Sequence, residues 1–137
     1  MRKRIGFLLL LSAPSFCLAA DLRLVEAAQA QDRDLVRTLL DQHVDVNTPQ
    51  GDGATALHWA VYWDDPAMTD ILIRAGANVN ATNELGVTPL ALASSGAMAG
   101  LLLDAGANPN LVTATGESPL MAASRAGRAD IASQFLA

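Results

Sequence analysis

The stretches Thr55–His58 (TALH) and Gly76–Asn80 (GANVN) decide the fold of this chain, because they recur 33 and 30 residues further on. Their second copies are Thr88–Leu90 (TPL) and Gly106–Asn110 (GANPN). Self-similarity at a fixed period of this length is typical of stacked helical repeats, in which each unit buries its apolar face against its neighbours. Such stacks present long surfaces that bind other macromolecules more often than they catalyse.

Four units result when the residue that opens each motif is taken as the first position: 22–54, 55–87, 88–117 and a partial unit, 118–137. A first helix is expected in each unit, at Leu24–Ala30, Leu57–Trp63, Leu90–Ser95 and Leu120–Ala126. Thr88 and Ser118 are good N-cap residues, and the prolines after them suit the first helical position. A second helix is expected where apolar residues recur at helical spacing: Leu35, Met68, Met98 and Ile131, and one turn later Leu39, Leu72, Leu102 and Phe135.

Glycines mark the ends of these elements. Gly76 and Gly106 follow the second helices, where a left-handed C-cap favours glycine, and His43 takes this place in the first unit. A further glycine follows each extended segment, at a position that suits a β-turn tip between units: Gly53, Gly86 and Gly116.

Two departures from the repeat concern its later units. The third unit is three residues short, and we expect the missing residues to lie between its two helices, near 94–96, with Gly96 supplying a tight turn. The fourth unit stops inside its second helix, where Ile131, Phe135 and Leu136 would have little beyond them to pack on. A longer protein, a frayed end or a partner on this edge would each account for that.

The pattern resembles the ankyrin repeat family. The residues that carry the resemblance are Gly53–His58 (GATALH), Gly86–Leu90 (GVTPL) and Gly116–Leu120 (GESPL), with the Gly-Ala-Asn-x-Asn segments that end at Asn80 and Asn110. It covers nearly all of residues 21–137. The resemblance implies an all-α repeat solenoid of helix–turn–helix units with projecting β-turn hairpins. It also implies a protein-binding module without enzymatic activity.

The first twenty residues read as a secretory signal peptide, with a basic head, a short apolar run from Ile5 to Leu11, and small residues at Ala19 and Ala20. An exported location, periplasmic or secreted, is therefore expected, with no membrane span after cleavage. Removal of this segment would leave no cysteine, and a net charge of about −8 in place of −5. Such an acidic domain repels phosphate backbones, so nucleic acid is not expected as a partner.

The sequence shows no catalytic constellation. His58 is expected to bond Thr55 and an adjoining turn, and neither a zinc motif nor a phosphate-binding loop is present. No catalytic residue, metal site, cofactor or small-molecule substrate is therefore predicted.

The candidate binding residues are aromatic and acidic. Tyr62 and Trp63 end the first helix of unit two, where the resemblance implies that side chains face the concave groove, and Trp59 is expected in the core. A competing interpretation is that Trp63 fills the gap left by the shortened third unit. Asp65 is expected to cap a helix before Pro66. The remaining candidates are acidic residues expected to surround the aromatic patch: Asp64, and at the hairpin tips Asp52, Glu84 and Glu117.

These residues predict a protein–protein interaction module whose partner has a basic rim and an apolar centre. Two alternatives remain open: a regulatory, inhibitory or protective subunit of an exported enzyme, and an accessory repeat segment of a longer enzyme.

Overall fold

The computed structural model describes residues 22–136, and within this range it contains helices and turns without strands. The expected signal peptide, with Cys17 and its cleavage site, lies outside the described residues, as does Ala137. The helices pair as successive two-helix units: α1 (22–29) and α2 (Arg33–Asp41), α3 (Ala56–Tyr62) and α4 (Pro66–Arg74), α5 (Pro89–Leu92) and α6 (Gly96–Asp104), α7 (Pro119–Arg125) and α8 (Ala129–Leu136).

The units stack in a row. The first helices α3, α5 and α7 lie side by side, and the second helices α4, α6 and α8 form a second layer against them. Leu39, Leu72 and Leu102 are buried in one continuous core. The residues spaced one repeat apart are therefore spatial counterparts, as the periodicity predicts, and the predicted all-α solenoid is confirmed.

Side-chain caps fix where the helices begin. Thr88 Oγ1 accepts from the backbone N–H of Ala91 at 3.3 Å, and Ser118 Oγ accepts from that of Met121 at 3.2 Å. Asp65 caps α4 through the N–H of Met68 at 3.0 Å. These caps confirm the predicted starts to within one or two residues. The first helix of unit three is shorter than expected, because it ends at Leu92 and Ser95 is already the N-cap of α6.

The expected glycine turns are present after the second helices. Gly76 and Gly106 have φ of +98° and +100°, and His43 adopts the same left-handed conformation with φ of +61°. Gly96 does not serve as the predicted tight turn, because it is the first residue of α6. A Cβ built on Gly96 would come 3.1 Å from the backbone oxygen of Asp130. This glycine therefore permits the close approach of α8.

The hairpins repeat the same internal bonds and also bond to one another. In the second hairpin, the N–H of Asn83 donates to the carbonyl of Val87 at 3.1 Å. The tips are joined by the N–H of Glu84 donating to the Asp52 carbonyl at 2.9 Å, and that of Ala114 donating to the Leu85 carbonyl at 2.8 Å. The predicted β-turn hairpins thus form a bonded edge.

The asparagines of the extended segments join neighbouring units. The Asn47 amide oxygen accepts from the N–H of Asn78 at 2.6 Å, and its Nδ2 donates to the Gly76 carbonyl at 3.1 Å. Asn80 repeats both bonds one unit later, to the N–H of Asn108 at 2.7 Å and to the Gly106 carbonyl at 3.3 Å. These bonds give backbone groups of the turn after each second helix a partner in the preceding unit.

Burial departs from the sequence prediction at the first unit. Leu35 is 40% exposed, whereas its counterparts Met68 and Met98 are buried. The prediction that Leu35 faces the core was therefore wrong, because no unit within the described residues precedes α2 to cover it. At the other end, Ile131 is buried, Phe135 packs against the core and Leu136 is 76% exposed. The expectation that these residues have little to pack on is therefore wrong for Ile131 and Phe135 and holds for Leu136.

Candidate binding groove

Three aromatic rings form one cluster on α3. The spacing of Trp59, Tyr62 and Trp63 places them on neighbouring positions of one helix face. Tyr62 meets Trp59 edge to face with ring centroids 5.6 Å apart, and meets Trp63 in the same manner at 5.1 Å. The two indoles stack at 6.5 Å. Tyr62 is 57% and Trp63 39% exposed, so the cluster presents two large aromatic side chains to solvent.

Hydrogen bonds hold both indoles in place. Trp59 Nε1 donates to Oε1 of Gln50 at 3.1 Å. Its ring packs against the core but is only half-buried, so the expectation that Trp59 lies in the core is met only in part. Trp63 Nε1 donates to the backbone carbonyl of Gln29 in α1, also at 3.1 Å. Trp63 therefore turns towards unit one, and the interpretation that it fills the gap beside unit three was wrong. A pre-positioned aromatic side chain loses little conformational entropy on binding.

Asp64 occupies a strained position directly after the cluster. Its φ of +53° lies in the left-handed region, which non-glycine residues adopt rarely. Its Oδ1 accepts from the hydroxyl of Ser95 at 2.9 Å, and the same hydroxyl caps α6 through the N–H of Met98 at 3.2 Å. Asp64 thus links units two and three, in addition to being exposed beside the aromatic rings.

The acidic residues at the hairpin tips differ in whether an arginine pairs with their charge. Glu117 forms two parallel bonds with the Arg125 guanidinium, each 2.9 Å long. Asp52 and Glu84 are exposed and lie on adjacent, mutually bonded tips. The backbone N–H of Ala54 and the side chain of Gln50 hold the pKa of the Asp52 carboxyl below its usual value. Asp52 and Glu84 therefore carry the negative charge of this edge, and Glu117 is balanced by Arg125.

His58 lies buried beneath this surface with both ring nitrogens engaged. Nδ1 accepts from the N–H of Thr55 at 3.1 Å, so Nε2 carries the proton and donates to the Val87 carbonyl at 2.9 Å. Burial lowers the pKa of His58 and keeps the ring neutral. The predicted structural role of His58 is confirmed, since the ring joins unit two to the hairpin of unit three.

The second buried ionisable group is Asp65. Its Oδ2 accepts from Arg33 Nε at 2.8 Å across the boundary between units one and two. Burial alone would raise the pKa of Asp65, but the bonds from Arg33 and from the Met68 backbone hold that pKa below its usual value. The predicted capping role of Asp65 is thus confirmed, and the ion pair adds a contact that the spacing did not indicate.

Two hollows flank Tyr62, and the sequence did not indicate either of them. The smaller one, of about 100 Å³, lies between hairpins and first helices and is lined by Ala54, His58, Trp59, Tyr62, Asn83 and Leu92. The larger one, of about 330 Å³, lies on the side of α5 and α7, where Leu92, Ala93, Ala122 and Ala126 contribute to its lining. Tyr62 and Leu92 line both hollows. We call this continuous surface the groove.

Neither a metal site nor a membrane-spanning segment is found in the described part of the chain. Residues 22–136 hold no group of three or more His, Cys, Asp or Glu side chains that could bind a metal ion. No helix in the same range has the length and apolar character needed to cross a membrane.

Comparison with known proteins agrees with this architecture. The RelA-associated inhibitor of Mus musculus is 39% identical over 72 residues, which are 53% of this chain and 9% of that protein. The Ankyrin repeat and LEM domain-containing protein 1 homolog of Caenorhabditis elegans is 40% identical over 60 residues, or 44% of this chain and 8% of that protein. The palmitoyltransferase ZDHHC17 of Danio rerio is 46% identical over 63 residues, or 44% of this chain and 10% of that protein. The chain thus matches a tenth or less of the length of these relatives.

A family model for ankyrin repeats in three copies matches residues 24–113, which span three of the four stacked units. Together with the two-helix layers, the bonded hairpins and the interunit asparagines, this match shows that the chain belongs to the ankyrin repeat family.

Proposed function

We propose that this chain is a non-enzymatic module that binds another protein through the groove and the hairpin tips. The observation that carries the proposal is the exposed pair Tyr62 and Trp63, held in place by ring contacts and by the bond to Gln29. Exposed aromatic side chains in fixed positions are frequent hot spots of protein interfaces. Ankyrin repeats are generally protein–protein interaction modules, which supports the same function.

The charge of the surface narrows the kind of partner. Asp52 and Glu84 are exposed on adjacent tips, Asp64 lies beside the aromatic rings, and the whole chain carries a net charge of −5. Opposite charges at an interface raise the association rate and exclude wrong partners. The partner therefore presents an apolar centre bordered by basic residues. Glu117 contributes less than the other acids, because Arg125 already neutralises it.

Replacing both aromatic residues, Tyr62→Ala with Trp63→Ala, is expected to weaken binding by 2 kcal/mol or more, which is about a 30-fold rise in Kd. The partner would first be identified by co-purification with the unaltered protein from an extract of the source cells, then purified for calorimetry.

The matched control is Leu35→Ala, which truncates a similarly exposed side chain on α2. Its Kd should be unchanged. Circular dichroism must show native helix content in both variants. Equal affinity of the double variant and the unaltered protein would remove this surface as the binding site.

Two alternative roles use the same surface. A regulatory or inhibitory subunit is suggested by the name of one relative, the RelA-associated inhibitor, and an accessory segment of a longer enzyme by the name of another, a palmitoyltransferase. Loss of catalytic activity of the purified partner on mixing with the chain would favour the inhibitory role. A continuous reading frame that also encodes a catalytic domain would favour the accessory role.

The proposed location is outside the cytoplasm. The basic head, the apolar run Ile5–Leu11 and the small residues before Asp21 support export with cleavage of the first twenty residues. N-terminal sequencing of the protein purified from the periplasm or medium should begin at Asp21. An N-terminus at Met1 in protein recovered only from the cytoplasm would overturn this proposal.

A further inference from the structure

The larger hollow of the groove exists because unit three lacks three residues. In unit two, α3 has 7 residues between the N-caps Thr55 and Asp65. In unit three, α5 has only 4 residues between the N-caps Thr88 and Ser95. Both units keep three residues between their helices, 63–65 in unit two and 93–95 in unit three. The shortening therefore removes the last turn of the first helix and leaves an opening between Tyr62 of unit two and α7 of unit four.

Small side chains keep this opening free. The lining contributed by α7 includes Ala122 and Ala126, and that from the end of α5 includes Leu92 and Ala93. Leu90 and Ile131, both buried, also line it. A volume of about 330 Å³ lies at the lower end of the range for ligand pockets, roughly 300–1,000 Å³, so the hollow suits one large side chain better than a whole cofactor.

The polar groups at the hollow are already largely engaged. The Arg128 guanidinium donates to the backbone carbonyl of Ser94, which bridges units three and four. This bond resembles the one from Trp63 to the Gln29 carbonyl between units one and two. Arg128 thus holds the end of the shortened unit and places one positive charge on the unit-four side of the hollow. The remaining lining is predominantly apolar.

Acidic residues lie on the unit-two side of the hollow. Asp64 follows Tyr62 by two positions, and its carboxylate is held by Ser95, the neighbour of the lining residue Ser94. Asp52 and Glu84 carry negative charge at the adjacent tips of the same groove. A partner chain that crosses the groove would therefore meet an apolar hollow with carboxylates on its unit-two side and the Arg128 guanidinium on its unit-four side.

We propose that this hollow, which we call the unit-three cleft, binds one aliphatic or aromatic side chain of a partner protein that carries lysine or arginine beside this side chain, facing the carboxylates of unit two. The inference rests on the proposed function and adds to it the position and chemistry of the anchor. The shortening of unit three is thus a specificity element, since it creates a recess that a full-length repeat would fill with its own helix.

The first test variant, which we call the repaired chain, restores the full length of unit three. Insertion of three alanines between Leu92 and Ala93 restores the length of α5 seen in α3 and fills the unit-three cleft. A second variant, Ala122→Leu, narrows the cleft from α7 with a good helix former. The control is Ala97→Leu, which adds the same atoms to an exposed position of α6 away from the lining.

The probe is a short Gly/Ser peptide with a central Lys-Phe-Lys, compared with Glu-Phe-Glu and Lys-Ala-Lys peptides of equal length. Amide chemical shifts of the isotopically labelled protein report where each peptide binds. Lys-Phe-Lys is expected to move the resonances of Ala93, Ala122 and Ala126, and both other peptides are expected to bind about tenfold more weakly. The repaired chain and Ala122→Leu should lose these shifts while keeping a thermal midpoint at least as high as the control.

The outcomes separate this inference from the proposed function. If the Tyr62 and Trp63 double variant loses the partner but the repaired chain and Ala122→Leu keep both partner and peptide, the cleft is not the anchor site and the proposed function stands. If no peptide shifts the cleft resonances, or Glu-Phe-Glu binds as well as Lys-Phe-Lys, the anchor or its charge assignment is overturned. If the double variant also keeps the partner, both proposals fail.

Discussion

Leu102→Ala is expected to lower the free energy of unfolding by about 2–5 kcal/mol. Leu102 is fully buried near the end of α6, in the unit that lies between units two and four. Truncation removes its apolar contacts and leaves a cavity that the neighbouring helices cannot fully close. A small domain has a total free energy of unfolding of about 5–15 kcal/mol. This single substitution should therefore remove a large part of the stability of the domain.

Urea titration followed by circular dichroism at the helical bands measures the effect. Leu85→Ala is the control, because Leu85 is 65% exposed at a hairpin tip and should change the stability by less than about 0.5 kcal/mol. Leu72→Ala, one unit earlier, is expected to cost about as much as Leu102→Ala, since Leu72 is equally buried. A urea midpoint for Leu102→Ala that coincides with that of Leu85→Ala would contradict the register of the stack.

The sequence predicted the fold well where one residue type satisfies a local requirement. Thr88 and Ser118 were identified as caps because a hydroxyl before a helix accepts a backbone N–H, and this requirement does not depend on distant contacts. Gly76 and Gly106 were identified by the left-handed turn that follows a helix. The same reasoning correctly allowed His43 at the equivalent turn of unit one.

Predictions failed where the answer depends on what covers a residue. The helical spacing correctly assigned Leu35 to the same position as Met68, but spacing carries no information on whether a neighbouring unit is present. Similarly, the repeat length shows that unit three lacks three residues, but the expectation that they are missing between its helices was wrong. The structure shortens α5 and leaves Gly96 within α6, against Asp130.

The candidate site could be predicted only in outline for the same reason. The clustering of aromatic residues on one helix was visible, because it depends on local spacing. The direction of Trp63, the pairing of Glu117 with Arg125 and the unit-three cleft all depend on contacts between distant segments. A shortened repeat beside alanines at 122 and 126 is the signal that could have indicated the cleft.

Gly86 lies in the row of bonded hairpins, and its replacement is also expected to lower the stability strongly. Gly86 has φ of +74°, and a Cβ built there would come 3.0 Å from the backbone nitrogen of Ala114 in the next hairpin. Gly86→Ala is therefore expected to lower the free energy of unfolding by about 2–4 kcal/mol. About 1–2 kcal/mol of this arises from the left-handed backbone, and the rest from separation of the two tips.

Gly116→Ala is the matched variant that separates these two effects. Gly116 has a similar φ of +83°, but a Cβ there would meet nothing within 4 Å. Its cost should be limited to the backbone term of about 1–2 kcal/mol. Thermal or urea unfolding of the two alanine variants measures the difference, and hydrogen exchange of the Ala114 amide reports whether its 2.8 Å bond to the Leu85 carbonyl is lost. Equal costs for both substitutions, with the Ala114 amide no longer protected, would mean that contact between adjacent tips contributes nothing to the stack. A larger cost at Gly86 would show that the hairpins stabilise the interface between units two to four as a continuous edge, beyond the contribution of the buried leucines.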